Sequence, residues 1–405
     1  MPVFWTELIL GTSYLLLGPG AWAAFGFAMV KGRKRMRLLS RPLPALPKSP
    51  PRVTVLVPAK DEQERIETCV RSILSQDYPN FDLVVIDDRS SDDTGTILDR
   101  IAVADPRVRA VHVGPGELPH GWGGKSHALH RGVELARRHD SSWLLFVDAD
   151  VQLEPDALSS ALAVAAKRDF DMVSLLPRFV GRGFWEELLQ PLAGAATSAM
   201  FAIALTNANH NRTAFANGQF MLVRREAYEK TGGHESIRGT LSEDTAIARN
   251  LKRAGYRPRL GWGDAVASVR MYDSLGSIVR GWGRNFFVGN RGRPWRIIAA
   301  IAFVVLCCFS SYAAIAWGAY RNAHPLIAIG GWGWIASGVV HWVLMSWLVG
   351  LIYAWSGARR WHALLFPLGA VILLAIFGRA LVNCATGRVE WRGTRYTRGA
   401  LHATA

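Results

Sequence analysis

Apolar and polar positions follow two rhythms along this chain. Residues 8–30 are almost unbroken apolar sequence, long enough to cross a bilayer, and three further apolar spans at 297–320, 325–355 and 363–382 repeat that pattern. Between them the apolar runs shorten and alternate with amphipathic stretches. Runs at 53–57, 83–86, 108–113, 144–147 and 172–175 read as strands, and 144–147 as a fully buried one, because nothing polar alternates with its four apolar residues. Asp61 with Glu64 reads as a capping box for a helix through Ser75, and Ser91-Asp92-Asp93 as the cap of the next helix. A Gly- and Pro-rich loop at 114–124 leads into Lys125, and a helix is expected from about Pro155. Strand–helix alternation of this kind predicts a doubly wound, mostly parallel α/β sheet. Its strands end on Pro58, on Asp87-Asp88 and on Asp148-Ala149-Asp150, along the edge where open α/β sheets bind ligands.

The long apolar spans make this a membrane protein in expectation. Half of the 405 residues are hydrophobic and 16 are Trp, a residue that favours the membrane interface. The first span is too long for a signal peptide and no basic residue precedes it. Lys31, Arg33, Lys34, Arg35 and Arg37 follow it, so the positive-inside rule puts the amino terminus outside and the next domain in the cytoplasm. The net charge of +15 fits an anionic membrane surface, since much of the Arg lies beside apolar spans and no nucleic-acid module stands out. Three closing crossings would leave Arg388, Arg392, Arg395 and Arg398 outside, against that rule. Either the rule fails here or one span is re-entrant or interfacial, in which case Pro367 and Gly369 mark the last, giving two to three full C-terminal transmembrane helices. The expected organisation is an anchor at 1–30, a basic and proline-rich linker at 31–51, a cytoplasmic domain at 52–290, membrane helices at 291–383 and a basic tail at 384–405. Cys307, Cys308 and Cys384 lie in apolar segments and only Cys69 in the polar part, so no disulfide framework follows.

Asp148 and Asp150 carry the first chemistry. Two carboxylates at i and i+2 just past a buried strand reach one small volume, and a pair of hard oxygen ligands suits Mg²⁺ or Mn²⁺ carrying a phosphate group. His127, His210 and His234 share no ligand spacing and read as structural. The apolar stretch 191–205 is open between an acceptor-lining or membrane-facing helix and a buried core helix.

The set Pro58-Ala59-Lys60-Asp61-Glu62, Asp87-Asp88-Arg89-Ser90-Ser91-Asp92, Asp148-Ala149-Asp150 and Glu243-Asp244 closely resembles glycosyltransferase family 2. So does the run from Gly218-Gln219-Phe220 to Tyr228 and Gly232-Gly233. Gly121-Trp122-Gly123-Gly124-Lys125 and Glu390-Trp391-Arg392-Gly393 look like the ceramide glucosyltransferase, carotenoid and hopene-associated glycosyltransferase branch of that family. The resemblance, which covers about residues 50–290, implies a GT-A-type fold, a nucleotide-sugar donor (a UDP-sugar) and inverting transfer. It puts Pro58, Glu62 and one of Asp87 or Asp88 on the nucleoside, Lys125 on the diphosphate, and Asp148 and Asp150 on ribose and metal. Asp244 becomes the general base, with Glu243 its local competitor. Trp122 is open between stacking on the donor and packing under its loop.

Processive members of the family carry Gln-x-x-Arg-Trp after the base. Here the sequence is Arg280-Gly281-Trp282-Gly283-Arg284, which leaves Arg280, Trp282 and Arg284 as candidates for diphosphate or membrane contact, against an interfacial amphipathic helix. The expected activity is transfer of one sugar to a lipid (hopanoid, carotenoid, sphingolipid-like or polyprenyl phosphate) at the cytoplasmic leaflet of the cell membrane. A processive synthase that exports its polymer and a non-enzymatic membrane scaffold are the alternatives.

Overall fold

The computed structural model describes residues 2–39, 43–136, 140–290, 292–324, 330–391 and 394–397. In chain order the helices are α1 Pro2–Leu15, α2 Ala21–Arg35, α3 Ile66–Leu74, α4 Thr94–Ala104, α5 Gly124–Ala136, α6 Ala157–Arg168 and α7 Phe184–Met200. They continue with α8 Arg225–Lys230, α9 Glu243–Arg253, α10 Leu275–Gly289, α11 Pro294–Phe303, α12 Ser310–Ala323, α13 Gly331–Trp355 and α14 Phe366–Thr386. The strands are β1 Val53–Ala59, β2 Phe81–Asp88, β3 Val108–Val113, β4 Trp143–Val147, β5 Val151–Leu153 and β6 Met172–Leu176. After these come β7 Arg178–Phe179, β8 Phe220–Arg224, β9 Pro258–Trp262 and β10 Ala267–Val269. A hairpin of β11 Arg388–Trp391 and β12 Thr394–Thr397 ends the described chain, so Arg392, Gly393 and Arg398 lie outside the described residues. Contacts divide the chain into two units.

The α/β unit holds residues 33–180, 201–271 and 387–405. Its main sheet runs β3-β2-β1-β4-β8-β6-β9, and β8 is antiparallel to both neighbours while the other pairs are parallel. This is the doubly wound, mostly parallel sheet expected. A small sheet, β5-β10-β7, lies next in order after the Asp148–Asp150 turn. Every residue of β4 is buried, as are all eight of β2, because helices cover both faces. Pro58 pairs with Ile86 of β2, but β1 leaves β4 after Leu56, so the missing proline N–H costs no ladder bond on that side.

One predicted cap is corrected and the other is borne out. α3 starts at Ile66, not at Asp61. Asp61 sits instead in a left-handed turn (φ 52°), where its carboxylate accepts from the Ser91 amide at 2.8 Å and hydroxyl at 3.1 Å. The Asp61 and Gln63 amides in turn donate to Ser90 Oγ and Asp92 Oδ2, joining the β1–α3 and β2–α4 loops side by side. Of the Ser91–Asp93 triplet, Asp92 does the capping, accepting from Thr94 N at 3.0 Å. Part of the linker is packed. Met36 and Leu38 are buried, and Met36 O accepts from Trp262 N at 3.0 Å at the end of β9.

The helical unit holds residues 1–32, 181–200 and 272–386. Segments 5–35, 294–323, 331–355 and 360–386 are each long and apolar enough to cross a membrane. Two elements expected in the 52–290 domain, α7 and α10, join these helices because their apolar faces find partners there. Leu192 of α7 meets Gly369 of α14, Trp282 Nε1 donates to Gln190 Oε1 at 2.7 Å, and Phe286 meets Phe377 edge-on at 4.9 Å. Of the stretch 191–205, Pro191, Leu192 and Ala193 are buried, while 194–200 stay partly exposed with Ala199 open. The last membrane-length segment opens irregularly, on a 3-10 stretch at Arg360–Leu365. α14 runs unbroken because Pro367 lies in its first turn, where no N–H is needed. Two further irregularities are π-helical turns at Leu16–Gly20 and Val304–Cys308. The second is followed by a break, and the Cys307 carbonyl there accepts from Trp22 Nε1 at 2.6 Å and from His341 Nε2 at 3.0 Å. Tyr14 donates to the other ring nitrogen of the fully buried His341 at 3.1 Å.

Candidate active site

The site is built where β2 and β4 end and where α5 and α9 begin. Successive residues of a strand face opposite sides, and this separates the two aspartates that end β2. Asp87 turns to the α4 side, where it accepts from Ser90 N at 3.2 Å and meets His112 Nδ1 at 3.1 Å. His112 also meets Asp99, and the two carboxylates raise its pKa. Asp88 turns to the α5 side. It is buried, and both of its oxygens accept from the Arg89 guanidinium at 2.8 Å. A Cβ at Gly124 would stand 2.6 Å from Asp88 Oδ2 and 2.7 Å from Arg89 Nη2, so only glycine lets α5 begin this close to the pair.

One residue on, the Lys125 ammonium bridges two carboxylates, Asp148 Oδ1 at 2.6 Å and Glu243 Oε1 at 2.7 Å. Burial alone would lower its pKa, but the two anions raise it above the ordinary lysine value, so it stays charged. Glu243 is 5% exposed and opens α9. Its neighbour Asp244 accepts from Gly218 N at 3.0 Å and from Thr245 N at 2.6 Å. Burial, with the Glu243 anion adding, pushes Asp244 up from the ordinary carboxylate range to about 7, against the opposing pull of Lys125 and the two amides. Gly218 completes the cluster, since a Cβ there would lie 3.0 Å from Lys125 Nζ and 3.4 Å from Glu243 Oε1.

Asp148 and Asp150 flank the turn after β4, above Cys69, whose thiol donates to Asp148 O at 3.6 Å. Burial pushes that thiol's pKa up, with the Asp150, Asp148 and Glu62 charges adding to it. A protonated thiol is no metal ligand. Among the described residues no group of three or more His, Cys, Asp or Glu could hold an ion unaided. One or two carboxylates with open positions is the donor set Mg²⁺ or Mn²⁺ uses when substrate phosphates complete the sphere, so Asp148 and Asp150 fit such an ion.

A family profile described as "Glycosyltransferase like family 2" matches residues 50–272, more than half of the chain. The chain belongs to that family. Its fold is accordingly the GT-A-like α/β fold with four apolar helices, and it is a glycosyltransferase. Similar curated proteins include the 4,4'-diaponeurosporenoate glycosyltransferase of Staphylococcus aureus strain MRSA252, 26% identical over 362 residues, which are 85% of this chain and 88% of that one. The protein of the same name from strain USA300 is 28% identical over 268 residues, 65% of this chain and 67% of that one. Among solved structures, the mannosyltransferase PcManGT from Pyrobaculum calidifontis in complex with GDP-Man and Mn2+ is 19% identical, with 90% of this chain and 97% of that chain covered and a TM-score of 0.48. S. aureus TarS 1-349 in complex with UDP is 13% identical, with 87% and 98% covered and a TM-score of 0.37.

The remaining expected residues of the glycosyltransferase divide. Trp122 is buried under its own loop, its ring 4.9 Å from that of His130 and 5.7 Å from that of His127. Arg280, Trp282 and Arg284 belong to the helical unit: Trp282 is buried on Gln190, Arg284 donates to Tyr272 Oη at 3.3 Å, and Arg280 is exposed. The glycine-containing segment 232–239 before Asp244 is tied down at two points. His234 is fully buried with its amide on Tyr228 Oη at 3.0 Å, and Arg238 O accepts from Gly123 N at 2.8 Å. Burial drives the His234 pKa down to about 3, so that ring is neutral and structural. Sequence reasoning missed Arg89, Gly124 and Gly218. Each stands inside a motif it quoted, and only the fold shows what they touch.

Proposed function

We propose that this glycosyltransferase moves one sugar, with inversion, from a UDP-sugar to a lipid acceptor of carotenoid type at the cytoplasmic leaflet of the cell membrane. The observation that carries the reading is the joined cluster at Gly218: a charged lysine between Asp148 and Glu243, beside a carboxylate held near neutrality. A diphosphate needs cationic charge, and Lys125 supplies it at the start of α5. Glu62 and Asp88 accept from nucleoside N–H and O–H groups. Asp148 and Asp150 would hold Mg²⁺ or Mn²⁺, which when bound neutralises charge on the departing diphosphate as a Lewis acid.

Asp244 takes the acceptor's proton. The hydroxyl oxygen forms its bond to the anomeric carbon opposite the leaving group. The bond to the diphosphate oxygen breaks with its electron pair going to the nucleoside diphosphate, and the hydroxyl proton passes to Asp244. A carboxylate raised towards neutral pH is a better base than an ordinary one. Four membrane-length helices and relatives named for 4,4'-diaponeurosporenoate support a membrane-dissolved acceptor. The test is purified protein in lipid nanodiscs with radiolabelled UDP-sugars, Mn²⁺ and carotenoid-type lipids bearing a hydroxyl or carboxyl end. A single labelled lipid carrying one sugar is expected. Label found only in water-soluble product, or in long polymer, would reject the reading.

A further inference from the structure

The residue left without a role is Glu243. Beside a general base it reads as a second candidate for that base, yet its surroundings differ from those of Asp244 in every respect. Its carboxylate is buried against an ammonium at 2.7 Å, whereas the Asp244 oxygens face backbone amides. A carboxylate already bound to a charged lysine has no use for an acceptor's proton. Lys125 has a long, flexible stem with four rotatable bonds, and it leaves the first turn of α5 with no other carboxylate on it than Asp148 and Glu243 among the described ion pairs. Removing Glu243 leaves a half-buried ammonium with Asp148 as its one remaining carboxylate among the described ion pairs.

We propose that Glu243 is a positioning residue: it holds the Lys125 ammonium over Asp148, so that the lysine charge stands ready at the diphosphate subsite before the donor arrives. This rests on the proposed donor reading and deepens it. Glu243 ties three elements, the end of β4, the start of α5 and the start of α9, through one cation. The base on α9 is thereby set in register with the donor carboxylate on β4. Gly218 belongs to the same device, because any side chain there would enter the space of the ammonium.

The test is a double-mutant cycle with Glu243→Gln, Lys125→Met and the pair, read as UDP affinity by calorimetry with Mn²⁺ and as donor KM and kcat. A second readout is acetylation of Lys125 by a lysine reagent without nucleotide, followed by mass spectrometry. Glu243→Gln should weaken UDP binding by about tenfold or more, mainly through KM. Adding it to Lys125→Met should cost little further, because both remove the same placed charge. Lys125 should be labelled faster in Glu243→Gln than in wild type. Losses that multiply, with unchanged labelling of Lys125, would overturn the proposal, as would a Glu243→Gln variant with normal KM and almost no turnover. If wild-type protein binds neither UDP nor GDP but the labelling still rises in Glu243→Gln, the donor reading falls and the placement of Lys125 by Glu243 stands.

Discussion

Gly218→Ala is the substitution whose effect the geometry sets most narrowly. The backbone there is not in the left-handed region, so alanine meets no conformational barrier, and the whole effect comes from one methyl group. That methyl would stand 3.0 Å from Lys125 Nζ, 3.4 Å from Glu243 Oε1 and 3.7 Å from Asp244 Cβ. The nearest atom is the end of a flexible chain, so the fold survives while the ammonium shifts by a few tenths of an ångström. Such a shift loosens two charge-assisted bonds that now measure 2.6 and 2.7 Å. Losing one such bond outright is worth roughly 1.5–3 kcal/mol, and loosening both roughly 1–2 kcal/mol, a loss of about five- to thirtyfold in kcat/KM for the donor. Steady-state transfer at varied donor, beside a thermal melt in the same detergent, reads both terms. The melting temperature should fall by no more than about 4 °C. Unchanged kinetics would refute the placement of the lysine against Gly218. A melting temperature lowered by three times that amount would show that the methyl strikes the backbone instead.

Three further outcomes follow from the same contacts. Asp150→Ala, or excess chelator on wild type, should abolish transfer, and Mg²⁺ or Mn²⁺ should restore the chelated enzyme but not the variant; full turnover in chelator would remove the metal. Gly124→Val should be worse than Gly218→Ala, because its Cβ alone would stand 2.6 Å from the Asp88 carboxylate and 2.7 Å from the Arg89 fork, with two methyls still to place; soluble yield with UDP affinity checks this. His341→Leu leaves the Cys307 carbonyl with one partner fewer and the Tyr14 hydroxyl with none from that ring; it should cost about 1–3 kcal/mol, seen as a lower melting temperature in detergent.

The α/β core was legible where one rhythm excluded the others. The run before Asp148 is wholly apolar, which only a strand covered on both faces allows, and it is buried throughout. The antiparallel insertion of β8 between β4 and β6 was not legible, since a buried strand reads the same in either direction. Caps failed at Asp61 because side-chain spacing alone does not reveal a partner thirty residues away at Ser91. Neighbouring acids were the limit at the site. Glu243 and Asp244 differ by one position, about 100° around the helix, and that rotation sends one to an ammonium and the other to an amide. Asp87 and Asp88 part in the same way across a strand. Arg89 was invisible because an arginine in a polar loop reads as solvated, whereas here it closes on the carboxylate before it.

The central claim is that Asp244 takes the acceptor's proton, and the dependence of kcat on pH with a hydroxyl acceptor tests it most directly. Asp244 works only when ionised, and its pKa is raised to about 7. Wild-type kcat should therefore climb as pH rises towards 7 and level off above it. Asp244→Asn keeps the shape and the amide contacts but accepts no proton, so kcat should fall by about a hundredfold or more, with the rising limb gone and UDP affinity nearly intact. An Asp244→Asn enzyme that keeps near-normal kcat and the same rising limb would contradict the account.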